Sequence, residues 1–272
     1  MAKLGIIGAG GDLPLRIRDG LKAKGEDALL IGLEGVASDQ TCKQADHVLS
    51  VGEVSALVSF LKSNNVRSCV MIGPMSRPDL ASLKVDAGGQ VVLSKFMGLA
   101  GAGGDDALLG CLVNYFEENG LEVIGAEDLI TDFIAPLGCL TKEQTNDWRQ
   151  DIAFGVALLK DLSVYDVGQA CVIKNRQVLA IEGPEGTDAM LLRVRNINKT
   201  VSGLAGVLVK LPKVGQEKRV DLPAIGPLTI KNAISAGLAG IVFQQSGALF
   251  VDREQCIAIA NGAGFFIEGL AP

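Results

Sequence analysis

The stretch Leu4-Gly5-Ile6-Ile7-Gly8-Ala9-Gly10-Gly11-Asp12-Leu13-Pro14 decides the fold of the N-terminal half of the chain. Its apolar beginning predicts a buried strand, and the glycines that follow lead into a helix expected to end near Lys24. A glycine-rich turn at a helix start presents backbone N–H groups to an anion. The stretch therefore predicts a strand, a candidate phosphate-binding loop and a helix.

The same alternation continues to about residue 131. Further strands are predicted at 28–33, 47–51, 68–72 and 121–124, with helices at 54–61 and 107–118. Strands that alternate with helices indicate an α/β fold with a parallel sheet, here a Rossmann-like N-terminal domain. We expect the loops after the first and fourth strands to meet at the carboxyl edge of this sheet, where such folds bind ligands.

Residues 132–140 contain Pro136 and Gly138 and lack periodicity, which predicts a linker between an N-terminal domain (1–131) and a C-terminal domain (141–272). The spacing Thr141-x-x-Gln144 predicts a capping box that opens a helix ending near Leu162. Strands at 170–173 and 177–181 are predicted to form a hairpin. Other elements are predicted at 206–211, 229–238, 241–243, 248–251, 253–261 and 264–267. This mixture indicates a distinct α/β (α+β) domain.

Composition excludes several classes of function. The net charge of −6 and 4% aromatic residues argue against a nucleic-acid partner, which requires a basic face or aromatic stacking platforms. No apolar run is long enough to predict a transmembrane helix, and no signal peptide is predicted. The six scattered cysteines are expected to be reduced, and one histidine cannot form a His-rich metal site. We expect a cytoplasmic protein.

Two polar stretches carry the candidate chemistry. The first is the short acidic loop Glu182-Gly183-Pro184-Glu185-Gly186-Thr187-Asp188. The second, residues 210–229, carries several cations and then Asp221, held before the Leu222-Pro223 pair. Carboxylates suit a hard cation such as Mg²⁺, and lysine and arginine neutralise phosphate oxygens. This mixture favours cleavage of a phosphoric anhydride, although a solvated, charged surface loop accounts for the same residues equally well.

The N-terminal glycines leave a second function open. Gly8-x-Gly10 begins a dinucleotide fingerprint, and Glu34 follows the second strand, where a ribose-binding carboxylate belongs. However, Leu13 occupies the third glycine position. The alternatives to a hydrolase are therefore an NAD(P)-binding Rossmann oxidoreductase and a nucleotide-binding module without catalysis.

Several motifs along nearly the whole chain resemble one family. They are Gly10-Gly11-Asp12-Leu13-Pro14, Gly104-Asp105-Asp106, Asp166-x-Gly168-Gln169, Glu185-Gly186-Thr187-Asp188, Lys210-x-x-Lys213 and Gln216-x-x-Arg219-x-Asp221-Leu222-Pro223-x-Ile225-Gly226-Pro227-x-Thr229. Together they are similar to the UDP-2,3-diacylglucosamine pyrophosphatases of the LpxI type, which act in lipid A biosynthesis. Ala9 departs from the glycine that is commoner in that family.

The resemblance implies Mg²⁺-dependent hydrolysis of UDP-2,3-diacylglucosamine to UMP and 2,3-diacylglucosamine 1-phosphate (lipid X). It also implies a homodimer and transient contact with the inner membrane. Asp221 matches the family's essential aspartate, and Asp221 and Asp188 are the expected metal ligands. Lys213 and Arg219 join them as expected catalytic residues. The expected substrate-binding residues are Gly11, Asp12, Gly73, Gly104, Asp105, Gln169, Thr187 and Lys210.

Overall fold

The computed structural model of the chain divides into two compact units. It describes residues 3–75, 79, 83–99, 105–129, 133–165, 167–200, 206–215, 217, 219–220 and 222–272. Unit 1 contains Met1–Ile130 and a short return segment that includes Arg219 and Val220. Unit 2 contains Thr131–Lys218 and Leu222–Pro272. Each unit has its own sheet and its own apolar core.

Unit 1 is built on a parallel sheet with the strand order β3-β2-β1-β4-β5. Its strands are β1 (Lys3–Gly8), β2 (Ala28–Leu33), β3 (His47–Leu49), β4 (Val66–Ile72) and β5 (Glu122–Val123). Its helices are α1 (Leu13–Ala23), α2 (Asp39–Gln44), α3 (Val54–Ser63), α4 (Ala87–Gly98), α5 (Asp105–Glu118) and α6 (Ala126–Leu129). This topology confirms the Rossmann-like prediction and places a change of winding direction between β1 and β4.

Both faces of the unit 1 sheet are covered by other parts of the unit. The adjacent residues Ile6 and Ile7 point to opposite faces of β1, yet they are only 0% and 3% exposed. Ile7 packs in a cluster with Leu57, Leu61 and Phe116, which come from α3 and α5. Such two-sided burial is the reason why the central strands are continuous apolar runs that are easily recognised in the sequence.

Unit 2 contains a six-stranded mixed sheet with the order β6-β13-β11-β9-β7-β8. Its elements are β6 (Gly138–Cys139), α7 (Arg149–Leu162), β7 (Ala170–Lys174), β8 (Gln177–Ile181), α8 (Gly186–Thr200), β9 (Val207–Lys210), β10 (Ala224–Ile225), α9 (Pro227–Ser235), β11 (Gly240–Gln244), β12 (Leu249–Phe250), α10 (Arg253–Ala263) and β13 (Phe266–Leu270). Strands β9, β11 and β13 are parallel, whereas β7, β8 and β6 pair antiparallel to their neighbours. The prediction of a separate α/β domain with hairpin and crossover connections is confirmed.

Two helical layers enclose the unit 2 sheet. On one face, Ile152 and Leu159 of α7 pack against Cys171, Ile173 and neighbouring strand residues. Residues of α8, α9 and α10 pack on the opposite face around Val172, Leu208 and Phe243. The alternating inward and outward residues of β7 separate these two cores.

The two-residue hairpin between β7 and β8 was predicted correctly. Asn175 and Arg176 both have positive φ (50° and 57°), as a tight hairpin turn requires. Their N–H groups donate to the two carboxylate oxygens of buried Asp151 at 2.9 and 2.7 Å. Asp151 therefore connects the first turn of α7 to the hairpin.

Two local predictions were wrong. Thr141 does not form a capping box: its Oγ1 accepts the Ile267 N–H at 3.0 Å, and α7 starts only at Arg149. The second error concerns α8, because Gly186–Asp188 were predicted to belong to a loop and no helix was predicted after them. Thr187 and Asp188 instead occupy the first turn of this 15-residue helix.

Asp86 stabilises the start of α4 and joins it to α3. Its carboxylate accepts N–H groups of Gly89 (2.9 Å) and Ala56 (3.0 Å). Burial alone raises the pKa of Asp86, but hydrogen bonds from Gly89, Ser55 and Ala56 outweigh it and lower the pKa from 3.8 to about 2.

We predict that Asp86→Ala lowers the free energy of unfolding at pH 7 by about 1–2 kcal/mol, because a helix cap is lost. Since the folded-state pKa is depressed, this stabilisation is present above pH 3.8 and disappears as the pH falls towards 2. Urea denaturation of the parent and the variant between pH 7 and pH 2.5 measures the difference. Exposed Asp161→Ala, on α7, is the control. A difference that does not change with pH would contradict the assignment.

Candidate active site

The register of three strands brings one edge of the unit 2 sheet together. Ala170, the first residue of β7, is paired with Lys210, the last residue of β9. The N–H of Glu182, directly after β8, donates to the Ala170 carbonyl at 2.9 Å. The Leu211 N–H donates to the Gln169 carbonyl at 2.9 Å. Gln169, Glu182 and Lys210 therefore lie side by side at the carboxyl edge of β9, although they are far apart in sequence.

Side-chain hydrogen bonds join these residues to the first turn of α8. Lys210 Nζ donates to Thr187 Oγ1 at 2.6 Å, and Thr187 Oγ1 donates to Glu182 Oε1 at 2.5 Å. The second carboxylate oxygen, Glu182 Oε2, accepts the Gln169 N–H at 2.8 Å. Glu182 and Lys210 are only 8% and 7% exposed. A lysine and a glutamate are thus buried in one continuous network.

This network brings three residues of the predicted constellation together and includes one further residue. Lys210, Thr187 and Gln169 were all expected to bind substrate, and the structure brings them together. Glu182 was quoted in the acidic loop but was not selected as a site residue. Its sequence signal is a charged residue that directly follows an apolar strand. That signal does not reveal its partners, which are 13 residues before it and five after it.

Close packing of Gly168 against Glu182 helps to define the site. A Cβ atom on Gly168 would lie 2.2 Å from the Glu182 carbonyl oxygen, which is far inside van der Waals contact. The glycine therefore allows the backbone before β7 to approach Glu182 closely. In this arrangement the neighbouring Gln169 N–H reaches the Glu182 carboxylate.

Asp188 follows Thr187 but belongs to a different local environment. Its exposed carboxylate accepts the side-chain amide of Asn232, on α9, at 2.8 Å. It lines a surface pocket of about 200 Å³ between α8 and α9. The other lining residues are Leu191, Leu192, Arg195, Asn232 and Ser235. The pocket combines a carboxylate, a guanidinium and apolar side chains.

The acidic loop before α8 is organised by an ion pair. Arg193 Nη2 lies 2.5 Å from Glu185 Oε1 and also donates to the Ile181 carbonyl at 2.9 Å. Hydrogen bonds from the backbone N–H of Glu185 and from Arg193 lower the pKa of the Glu185 carboxyl. Glu185 is therefore engaged with the helix that follows it, α8, whereas its place in the acidic loop had suggested a metal ligand.

The glycine loops of unit 1 meet as predicted. The Ala9 N–H donates to the Ile72 carbonyl at 2.8 Å, and the Gly10 N–H donates to the Pro74 carbonyl at 3.0 Å. A Cβ atom on Gly73, whose φ is 107°, would lie 2.3 Å from the Gly10 carbonyl oxygen. The loops after β1 and β4 therefore cross at the winding change of the sheet, where glycine is required at position 73.

This crossing changes the expected role of the first glycines. The Gly10 N–H is occupied by Pro74, so the part of the loop nearest β1 does not present it to a ligand. Gly11 and Asp12 are exposed, and the Asp12 side chain makes no capping hydrogen bond to α1. Gly11, Asp12 and Gly73 thus cluster at the carboxyl edge of the unit 1 sheet.

The remaining predicted site residues are distributed between the units. Arg219 belongs to unit 1, where Nη1 lies 2.5 Å from Glu117 Oε1 and 3.2 Å from the Val123 carbonyl oxygen. Lys213 is half-buried in unit 2. Asp221 and Gly104 lie outside the described residues, as does the side chain of Asp105 at the start of α5.

The described residues alone do not provide a complete Mg²⁺ site. Among them, no group of three or more His, Cys, Asp or Glu residues could hold a metal ion. Asp188 offers one carboxylate, one oxygen of which accepts Asn232. Both carboxylate oxygens of Glu182 are occupied by protein donors. A metal centre would therefore need Asp221 or another oxygen ligand besides Asp188.

Comparison with known proteins matches both halves of the chain. Residues 3–133 match the model of the LpxI N-terminal domain, and residues 136–268 match that of the LpxI C-terminal domain. The chain is 37% identical over 277 aligned positions to the UDP-2,3-diacylglucosamine pyrophosphatase LpxI of Caulobacter vibrioides. The alignment covers 100% of this chain and 99% of that protein. The solved structure of a UDP-N-acetylglucosamine 4-epimerase from Bacillus cereus aligns with 100% of this chain and covers 89% of the epimerase chain. The identity is 13% and the TM-score is 0.33, which is too low to support any inference. Two family domains that together span nearly the whole chain, and a full-length relative, show that this protein belongs to the LpxI family.

Proposed function

We propose that this protein hydrolyses the pyrophosphate of UDP-2,3-diacylglucosamine to UMP and 2,3-diacylglucosamine 1-phosphate, a step of lipid A biosynthesis. The full-length relationship to a UDP-2,3-diacylglucosamine pyrophosphatase carries this proposal. The family relationship favours it over the NAD(P)-dependent oxidoreductase and over a nucleotide-binding module without catalysis. Leu13 in place of the third glycine of the dinucleotide fingerprint points in the same direction.

The reaction requires neutralisation of charge and a well-aligned water molecule. Water attacks the sugar-side phosphorus, the bond from that phosphorus to the bridging oxygen breaks, and the bridging oxygen leaves with UMP. The buried Lys210 ammonium and the N-terminus of α8 supply positive electrostatic potential at one sheet edge of unit 2. Lys213 and Arg219 are proposed to stabilise the negative charge on the leaving UMP.

We further propose that Asp188 and Asp221 hold Mg²⁺. When bound, the ion would neutralise charge on the anhydride oxygens. Asp188 supports this assignment because it is an exposed carboxylate beside a surface pocket. Gly11, Asp12, Gly73, Gly104 and Asp105 are proposed to bind the nucleotide or the sugar, since Gly11, Asp12 and Gly73 cluster where Rossmann-like sheets bind ligands.

The acyl chains of the substrate bear on where the protein works. In the parts of the chain that the structure describes, no helix is long and apolar enough to cross a membrane. We propose a cytoplasmic enzyme that contacts the inner membrane transiently when it collects its diacylated substrate. We also propose that it acts as a homodimer, as the family resemblance implies.

The first prediction of this proposal concerns the reaction itself. Purified protein incubated with UDP-2,3-diacylglucosamine and Mg²⁺ should release UMP and lipid X in equal amounts. An excess of EDTA should abolish turnover, and added Mg²⁺ should restore it. Product analysis by liquid chromatography with mass detection measures both compounds. Absence of UMP release under these conditions would exclude the proposed function, whereas turnover that persists in EDTA would exclude only the metal.

The second prediction of this proposal concerns the two aspartates. We expect Asp221→Ala to lower kcat by a factor of about 100 or more and Asp188→Asn by about 10 or more, because each removes a ligand or water-orienting group. Steady-state kinetics with and without excess Mg²⁺ provides the measurement. Asp161→Asn changes an exposed carboxylate of α7 and serves as the control. Parent-like kcat in Asp221→Ala would remove that residue from the mechanism.

A further inference from the structure

The hydrogen-bond network at the edge of the unit 2 sheet has a forced direction. A lysine ammonium can only donate hydrogen bonds, and an ionised carboxylate can only accept them. Thr187 Oγ1 lies 2.6 Å from Lys210 Nζ and 2.5 Å from Glu182 Oε1. The hydroxyl must therefore accept from Lys210 and donate its single proton to Glu182.

The direction of these bonds limits what Thr187 can do for a ligand. A threonine hydroxyl carries one proton, and here Glu182 receives it. While that bond is made, Thr187 cannot donate a hydrogen bond to a phosphate oxygen, which offers only acceptors. A direct contact between the Thr187 hydroxyl and a substrate phosphate is therefore incompatible with this network. Thr187 can instead hold the Lys210 ammonium in one position.

We propose that Glu182 is a positioning residue that orients Lys210 through Thr187, so that the ammonium rather than the threonine hydroxyl faces the pyrophosphate of the substrate. The proposal rests on the proposed function of this site. Three observations carry it: Glu182 is buried, both of its carboxylate oxygens have protein partners, and one of them reaches Lys210 through a single hydroxyl. Its second bond, to the Gln169 N–H, holds the carboxylate itself in place.

Electrostatics and positioning predict opposite effects when Glu182 loses its charge. Glu182→Gln keeps the size of the side chain and removes one negative charge close to Lys210. If charge alone mattered, an anion would bind the variant more tightly than the parent. If Glu182 orients the ammonium, the variant should bind the anion more weakly, since an amide cannot accept from both Thr187 and Gln169 with its two terminal atoms.

The experiment compares Glu182→Gln, Thr187→Val, Thr187→Ser and Lys210→Met in the full chain. Thr187→Val is nearly isosteric and changes no charge, whereas Thr187→Ser keeps the hydroxyl. The matched control is Glu268→Gln, since Glu268 is also buried (7% exposed) and accepts from Arg149 at 2.9 Å, outside the network. Thermal denaturation identifies variants that fold, and Thr187→Val provides the test if Glu182→Gln does not fold.

Two measurements are made on each folded variant. The first is kcat and KM for UDP-2,3-diacylglucosamine, and the second is the Kd for inorganic pyrophosphate by calorimetry. We expect Glu182→Gln and Thr187→Val each to lower kcat by about 10-fold or more and to weaken pyrophosphate binding. Glu268→Gln should remain close to the parent, and Thr187→Ser, which keeps the hydroxyl, should retain more of the parent kcat and pyrophosphate affinity than Thr187→Val. In a Lys210→Met background, Glu182→Gln should cause little further loss, because the residue through which it acts is absent.

Three outcomes would overturn the proposal. They are parent-like kcat in both Glu182→Gln and Thr187→Val, tighter pyrophosphate binding by Glu182→Gln, and fully additive effects of Glu182→Gln and Lys210→Met. Failure of the proposed function is a separate result, because it appears as a parent protein that releases no UMP. In that case, the pyrophosphate affinities of the same variants still decide whether Glu182 orients Lys210.

Discussion

Burial of a lysine and a glutamate at the same sheet edge constrains this region of unit 2 more than any single apolar contact. Removing either charge from water costs several kcal/mol unless hydrogen bonds replace the lost hydration. Lys210 and Glu182 meet that requirement through Thr187 and through the Gln169 N–H. The network is possible only when β7, β8 and β9 have their observed register and α8 begins at Gly186. Shifting any of these elements by one residue would break at least one hydrogen bond of this network.

Most strands of the five-stranded and the six-stranded sheet could be predicted because buried strands consist mainly of apolar residues. The strands β2 and β8 were predicted with the observed bounds, and β1 and β4 within two residues, since short apolar runs between glycines or polar turns are typical of buried strands. The helix α8 could not be predicted in this way. Gly183 and Pro184 just before it and Gly186 at its first position are typical of a turn, and its exposed face carries arginine and asparagine. Its buried face includes Met190, Leu191 and Val194. That face can be recognised only when the position of the sheet against which it packs is known.

The site was predictable in its residue types but not in its connections. Lys210, Thr187 and Gln169 were chosen because they belong to motifs, and the register of the sheet then placed them together. Glu182 was missed because nothing in the sequence states that the residue after β8 faces the first turn of α8. The failed capping box at Thr141 has the same origin, since its hydroxyl accepts a backbone N–H from β13, more than a hundred residues away. Long-range hydrogen bonds are thus the part of the structure that local pattern describes least.

The hydroxyl between Lys210 and Glu182 also affects the electrostatic potential at the site. In a direct ion pair, the carboxylate would lie against the ammonium and cancel most of its field at the site. With Thr187 between them, the opposite charge is one side chain further away, and the Coulomb attraction that neutralises the lysine falls with that distance. The hydroxyl therefore holds the Lys210 ammonium in place, while Glu182 cancels less of its positive potential than it would in direct contact. Under the proposed function, this retained potential is what an anionic pyrophosphate requires of the site.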